Sequence, residues 1–323
     1  MADAVFDELA KSRSEFGERP SPLSPFVRSE GLSRMLGCDV CLKVELALPS
    51  GSFKYRGAHH KLAKLGRGPL AGVIGASTGN HGAALAYVGQ KASVPVTVFA
   101  PAAASASKLA AIEALGATIK LVPGSPLDAE RAARARSEES GCPYVSSYND
   151  IDVIAANAII AEEILDQEPD VSAIFVSVGG GGLLAGVGHA AKARNPRTRI
   201  FGCWPRNADN LYQSLLKGGI VDLTECETLS EGTIGGAEAG SITFPICQSV
   251  IDEAVLVDER EIAAAMRLAF RETGYILEGA SGVALAGLIK RAKYLSAAKV
   301  AVVLCGGNIE NARFTEILRE QYD

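Results

Sequence analysis

Lys54 closes the run Ser50-Gly51-Ser52-Phe53-Lys54 and opens a helix. An amine there lies near the positive end of the helix dipole and is partly desolvated by Phe53, and both effects lower its pKa. That suits a lysine which must shed its proton to attack an aldehyde and form a Schiff base. On spacing alone, a solvated surface lysine has the stronger claim. Gly179-Gly180-Gly181-Gly182 follows a buried strand and precedes a helix. Four residues without Cβ let backbone N–H groups converge on an anion, helped by the helix N-terminus. The Lys-Ser/Thr of a nucleotide P-loop is missing, which argues against ATP. Gly180 to Ala185 also satisfies the G-x-G-x-x-A dinucleotide pattern, but the next strand, Arg199–Trp204, runs into Pro205 and Arg206 rather than an acidic residue. This favours a single phosphate over NAD and leaves an NADP-binding oxidoreductase open, as it leaves a plain packing turn. The third segment, Ser77-Thr78-Gly79-Asn80-His81-Gly82, brings two hydroxyls, an amide and free N–H groups to another helix start. It can bind a substrate carboxylate, although a simple N-cap explains Ser77 or Thr78 equally well.

The elements that must position these segments alternate in type. From Ala71 the pattern reads strand Ala71–Ala76, helix His81–Gln90, strand Pro95–Ala100 and a helix capped by Ser105 that stops at Gly116. Strand Ala117–Val122, helix Pro126–Ser140 and strand Tyr144–Ser146 complete a parallel unit of about four strands. A second series runs through helix Val153–Leu165, strand Ala173–Val178, helix Leu183–Ala193, strand Arg199–Trp204 and helix Asn207–Lys217. A capping box, Asp258 to Glu261, opens helix Ile262–Thr273. Helix Gly282–Tyr294, strand Lys299–Leu304 and a helix after Asn308 follow. Continuous Val/Ile/Leu strands between helices imply parallel sheets covered on both faces. The expectation is an α/β protein of two doubly wound lobes, residues 1–68 with 146–323 and the inserted 69–145, with a cleft between them.

The 323 residues suffice for two cores, and 48% apolar with 21% charged residues is globular composition. A net charge of −5 argues against nucleic acid or anionic membrane as partner. Residues 1–16 carry no apolar core of a secretory signal. The uncharged stretch Val171–Ala191 holds six glycines, so it is a poor membrane span. Seven scattered cysteines fit a reducing cytoplasm better than a disulfide framework. Cys38-Asp39-Val40-Cys41 has no second ligand pair at zinc spacing and reads as two small apolar fillers; His59, His60, His81 and His189 form no metal pattern either.

Taken in order, Leu42–Glu45, Pro49–Ala58, Ala76–Gly82, Gly179–Gly182 and Leu304–Asn308 make the chain resemble the fold-type II pyridoxal 5′-phosphate (PLP) enzymes, with the tryptophan synthase β-like fold, and within them the threonine/serine dehydratase and serine racemase group. The resemblance spans nearly the whole chain. It implies that Lys54 is the Schiff-base lysine beside Phe53, and that Asn80 bonds the ring hydroxyl. Gly179, Gly180, Gly181 and Gly182, with Leu183, would hold the phosphate. Cys305 would face the pyridine nitrogen, Gly232 and Glu278 would line the cofactor, and Ser77, Thr78, Gly79, Asn80 and His81 would hold the substrate carboxylate. Lys54 and Thr78 are the catalytic candidates. The implied reaction removes water and then ammonia from a β-hydroxy amino acid such as threonine, serine or 3-phenylserine, giving a 2-oxo acid. Racemisation within the same group is the alternative. A non-catalytic binding protein on this scaffold is a further rival.

Departures from the group's pattern carry expectations of their own. Trp204 stands at the acidic position and Asn210 at another ligand position of the divalent cation in serine racemase-like members, which speaks against a divalent metal and leaves room for a monovalent cation on backbone carbonyls. Thr78 replaces the serine that acts as second base in the racemases, and its β-branch restricts the hydroxyl. Residues 230–244 resemble dehydratases of larger β-hydroxy amino acids, such as those acting on phenylserine or in hydroxyectoine breakdown. Ending at Asp323 without a regulatory domain, the chain reads as a short catabolic dehydratase, and the group suggests a homodimer.

Overall fold

A computed structural model describes residues 7, 11, 23–66, 70–221, 223–224 and 226–319. The segment that argued against a secretory signal lies almost wholly outside the described residues, as does the expected boundary between 68 and 69.

Two sheets form. Strands β1 (Phe26–Arg28), β2 (Asp39–Val44), β6 (Ala173–Ser177), β7 (Arg199–Pro205), β8 (Glu253–Val257) and β9 (Lys299–Leu304) make a six-stranded sheet of order β1-β2-β9-β6-β7-β8. Strands β3 (Val73–Ala76), β4 (Val96–Pro101) and β5 (Thr118–Val122) make a three-stranded one. All pairings are parallel except β1 with β2. The antiparallel edge was not anticipated. Nor was a full strand at Tyr144–Ser146 obtained: only the bridge Ile74–Tyr144 forms. The preceding Pro143 has no N–H to extend a ladder.

Twelve α-helices are described: α1 (Glu30–Leu36), α2 (Lys54–Leu65), α3 (Asn80–Ala92), α4 (Ala106–Ala114), α5 (Pro126–Ser140), α6 (Ile151–Gln167), α7 (Gly182–Arg194), α8 (Asn210–Lys217), α9 (Thr243–Val250), α10 (Glu259–Thr273), α11 (Gly279–Arg291) and α12 (Asn311–Leu318). The capping box at Asp258 and Glu261 is present at α10, and Ser125 with Asp128 makes another at α5. Ser105 precedes α4 without a side-chain cap bond, correcting the expected cap. The sequence pattern flagged neither α9 nor β8.

Both faces of the large sheet are covered. Ala301 and Val303 of β9 face a core with Ile154 of α6 and Leu184 of α7, while Val300 and Val302 face one with Ile262 of α10 and Leu285 of α11. Each fully buried Leu, Ile or Phe in these layers contributes roughly 1.5–3 kcal/mol. The small sheet packs Val73, Val96 and Val98 with Tyr55 and Leu62 of α2 and Leu85 of α3. Cys38 and Cys41 lie 4% and 3% exposed, as the filler reading expects. Among the described residues, no helix is long and apolar enough to cross a membrane.

Candidate active site

Lys54 stands where the two packing systems meet. Phe53 belongs to the core of the large sheet and Tyr55 to that of the small one. Lys54 is the first residue of α2, as expected. Its Nζ donates to the Ser147 carbonyl at 2.7 Å and lies 5.0 Å from the centroid of the Phe53 ring. Although the residue keeps partial exposure, desolvation brings the amine down to about 8, against the opposing pull of Cys305 and Glu278. The backbone before it is tied to the strand-end loop after β9: Phe53 N donates to Cys305 O at 2.8 Å and Gly307 N to Gly51 O at 3.0 Å.

Cys305 and Glu278 complete this wall. The Cys305 sulfur, 2% exposed, has Ser177 Oγ at 3.5 Å and Ser281 Oγ at 3.6 Å. Burial, with Glu278 nearby, pushes the thiol up to about 12, so at neutral pH it is a thiol and not a thiolate. Glu278 sits just before α11, and burial raises its carboxyl to about 7. Asn80 Nδ2 lies 2.8 Å from both Glu278 oxygens, and Asn80 Oδ1 accepts from Asn308 Nδ2 at 2.7 Å. This Glu278–Asn80–Asn308 link was not foreseen, although Asn308 ends one of the motifs.

The four glycines form a cradle between β6 and α7. A Cβ on Gly180 would stand 2.6 Å from Tyr148 Cγ, and one on Gly179 would stand 2.9 Å from Thr233 Cα. Gly181 has φ +89°, a conformation that L side chains rarely adopt. The carbonyls of Gly180 and Gly182 are held by Thr243 Oγ1 at 2.7 Å and Asn157 Nδ2 at 3.1 Å. With those carbonyls turned away, the N–H groups opening α7 remain for an anion. Leu183 is 6% exposed beneath them. Gly232 is exposed, and a Cβ there would lie 4.0 Å from Glu278 Oε1. Tyr148 carried no signal in the sequence; only its packing on the cradle reveals it.

Ser77 and Thr78 are partly exposed and Gly79 exposed, just ahead of α3. The His81 ring turns inward instead: it is 4% exposed with Nε2 2.8 Å from Val145 O. Burial and the charge of Lys54 depress it to about 3. This position therefore offers a backbone N–H rather than an imidazole. Trp204 is fully buried, its ring 5.8 Å from that of Tyr212, and Asn210 Nδ2 donates to Leu223 O at 3.1 Å.

A ligand with an anionic tail and an aldehyde suits this site. The cradle has no room for side chains, an amine of lowered pKa is held by Ser147, next to the Tyr148 that packs on the cradle, and the buried hydroxyls of Ser50 and Ser52 have no partner. Residues 15–306 match the family model described as pyridoxal-phosphate dependent enzyme. The chain belongs to that family, and its fold is the fold-type II arrangement. It is 38% identical over 285 residues to an L-threonine ammonia-lyase of Geobacter sulfurreducens, covering 88% of this chain and 71% of that one. It is 32% identical to a serine racemase of Dictyostelium discoideum, covering 98% and 99%. The processed form of threonine deaminase isoform 2 from Solanum lycopersicum superposes with a TM-score of 0.91 at 31% identity, covering 99% and 94%. The cofactor is thus pyridoxal 5′-phosphate, and the dinucleotide reading of Gly180 to Ala185 falls away.

Proposed function

We propose that this PLP enzyme is an ammonia-lyase acting on a β-hydroxy amino acid such as threonine, serine or 3-phenylserine to give a 2-oxo acid and ammonia. One observation carries the reading: an amine lowered to about 8 stands between two cores, facing Cys305 and Glu278. When bound, PLP supplies an aldehyde and a conjugated ring that takes up the charge developing at Cα. Lys54, partly unprotonated near neutral pH, takes the Cα proton. The N–H groups of Gly179, Gly180, Gly181, Gly182 and Leu183 would hold the phosphate, and Asn80 would hold the ring hydroxyl. Gly232 and Glu278 would border the ring. Cys305, a neutral thiol, does not keep a proton on the pyridine nitrogen as a carboxylate would. Ser77, Thr78, Gly79 and the N–H groups opening α3 hold the substrate carboxylate.

Similarity to serine racemases favours racemisation as a second reading. It requires Thr78 to act as second base, with a hydroxyl whose rotamers are restricted. We also assign residues 1–68 with 146–323 to the large lobe and 69–145 to the small one, with α2 packed against α3 and α6 at their junction. A homodimer, a cytoplasmic location and a monovalent rather than divalent cation belong to the same proposal; the seven free cysteines support the location.

The test is ammonia release from serine, threonine and 3-phenylserine by the purified yellow holoenzyme, with the serine pool analysed on a chiral column. Ammonia and 2-oxo acid are expected. D-serine without ammonia would replace the lyase by the racemase.

A further inference from the structure

The ammonia-lyase reading leaves the substrate side chain open, and the segment after the short turn at residues 231–233 bears on it. This segment runs along the cofactor cradle: Thr233 packs on Gly179 and the Gly236 carbonyl on Gly180. It then reaches Glu238, whose N–H donates to Tyr148 Oη at 3.0 Å. Tyr148 packs on Gly180, and its neighbour Ser147 supplies the carbonyl that holds Lys54 Nζ. Glu238 is thus linked to the amine's own contact through Tyr148, the residue after Ser147.

Its carboxylate is committed. Oε1 accepts from Arg134 at 2.7 Å and from Asn149 Nδ2 at 2.6 Å. Arg134 comes from α5, on the small-sheet side, so the pair spans the two sheets. The guanidinium also bonds Glu130 at 2.8 Å and stacks 4.5 Å from the centroid of Tyr144. Asn149 is fixed in its turn, its Oδ1 accepting from Ile242 N at 3.0 Å. One guanidinium and two carboxylates give this wall a formal charge of −1. Lys108, another small-sheet cation bonded across the seam, is paired with Glu231.

We infer that Glu238 sets the substrate class: the enzyme takes β-hydroxy amino acids whose side chain carries no second carboxylate, and rejects 3-hydroxyaspartate. A distal carboxylate would have to displace Glu238 from Arg134 or stand against the net negative charge of this cluster, whereas a methyl, hydrogen or aryl group meets no such opposition. This inference rests on the ammonia-lyase reading, and the test separates the two.

Initial rates of ammonia release from L-threonine, L-serine, L-threo-3-phenylserine and L-threo-3-hydroxyaspartate are measured with the holoenzyme. We expect kcat/KM for 3-hydroxyaspartate at least about tenfold below that of the best neutral substrate. Preference for 3-hydroxyaspartate overturns the inference and leaves the ammonia-lyase standing. No ammonia from any of the four overturns the ammonia-lyase reading, and this inference with it. In Glu238→Gln, Arg134 is released from one of its carboxylates, and the 3-hydroxyaspartate to threonine ratio should rise at least about tenfold, while Glu238→Asp keeps it within about threefold. An unchanged ratio in a Glu238→Gln protein that still shows PLP absorbance overturns the assignment to Glu238. If that variant does not bind PLP, the native panel alone decides.

Discussion

Two buried titratable residues that sense the charge of Lys54 are pulled in opposite directions, and their pH dependence follows. Burial raises Glu278 from 4.5 to about 7, so between these values the folded chain holds its proton more tightly than the unfolded chain does. Its contribution to stability is present below pH 4.5 and is lost as pH rises through 7. His81 is lowered from 6.5 to about 3, so its contribution is present above pH 6.5 and is lost as pH falls toward 3. In the apoprotein, Glu278→Gln should therefore stabilise more at pH 8 than at pH 5, by on the order of 1–3 kcal/mol. Thermal scans at the two pH values check this, and equal effects would mean that the carboxyl titrates normally. For Lys54, amine labelling of the apoprotein should reach half its maximal rate near pH 8, and a midpoint above 10 would contradict the desolvated position. Lys54→Ala should lower turnover by roughly 10²–10⁴ with the fold intact, a range typical of a lost general base; near-normal turnover would remove Lys54 from that role.

At the scale of elements, the glycine cradle is where geometry leaves least freedom. A methyl at position 180 would collide with Tyr148 and with the Gly236 carbonyl at 2.8 Å, and backbone cannot give way as a flexible side chain can. Gly180→Ala should cost about 1–3 kcal/mol of stability and weaken PLP binding, as read by denaturation and by cofactor titration. A variant with native affinity would mean that the cradle is looser than its contacts imply. The run of glycines, the lysine-led helix and the capping box of α10 were legible because each is a local pattern with a local cause. Strand β8 and helix α9 were not. Each is short, and among the described strands β8 is an edge strand that pairs only with β7, so its sheet position depends on a distant neighbour. The inward turn of His81 was illegible for the same reason, since its partner is the carbonyl of Val145.

Across the molecule, a fully buried ion cluster stands behind the reactive helix. Arg56, two residues after Lys54, bonds Glu45 at 2.7 and 2.9 Å and Glu163 at 3.0 and 2.8 Å, and Lys43 pairs with Glu163 at 2.5 Å. These contacts join α2 to the end of β2 and to α6. Arg56→Met would leave two buried carboxylates facing one lysine, at a cost of about 3–5 kcal/mol. Chemical denaturation of that variant measures the loss; a change under 1 kcal/mol would show that water reaches the cluster. By contrast, some of the ties between the small and large sheets, such as Ser107 to Glu310 at 2.7 Å, are exposed and individually weak. The two halves are held together chiefly by packing around α2.

The sequence by itself determined which chemical groups were on hand and the order of the elements bearing them. Helix and strand periodicity, caps and glycine runs are set by neighbours within a few residues, and motif order carried the family. Only the tertiary structure decided what those groups became. Asn80 meets Glu278 across 198 positions and Asn308 across 228. Desolvation of Lys54, Cys305 and Glu278 comes from walls built by separate segments. Dielectric environment and through-space contact are properties of the packed chain, and no local stretch of it encodes them.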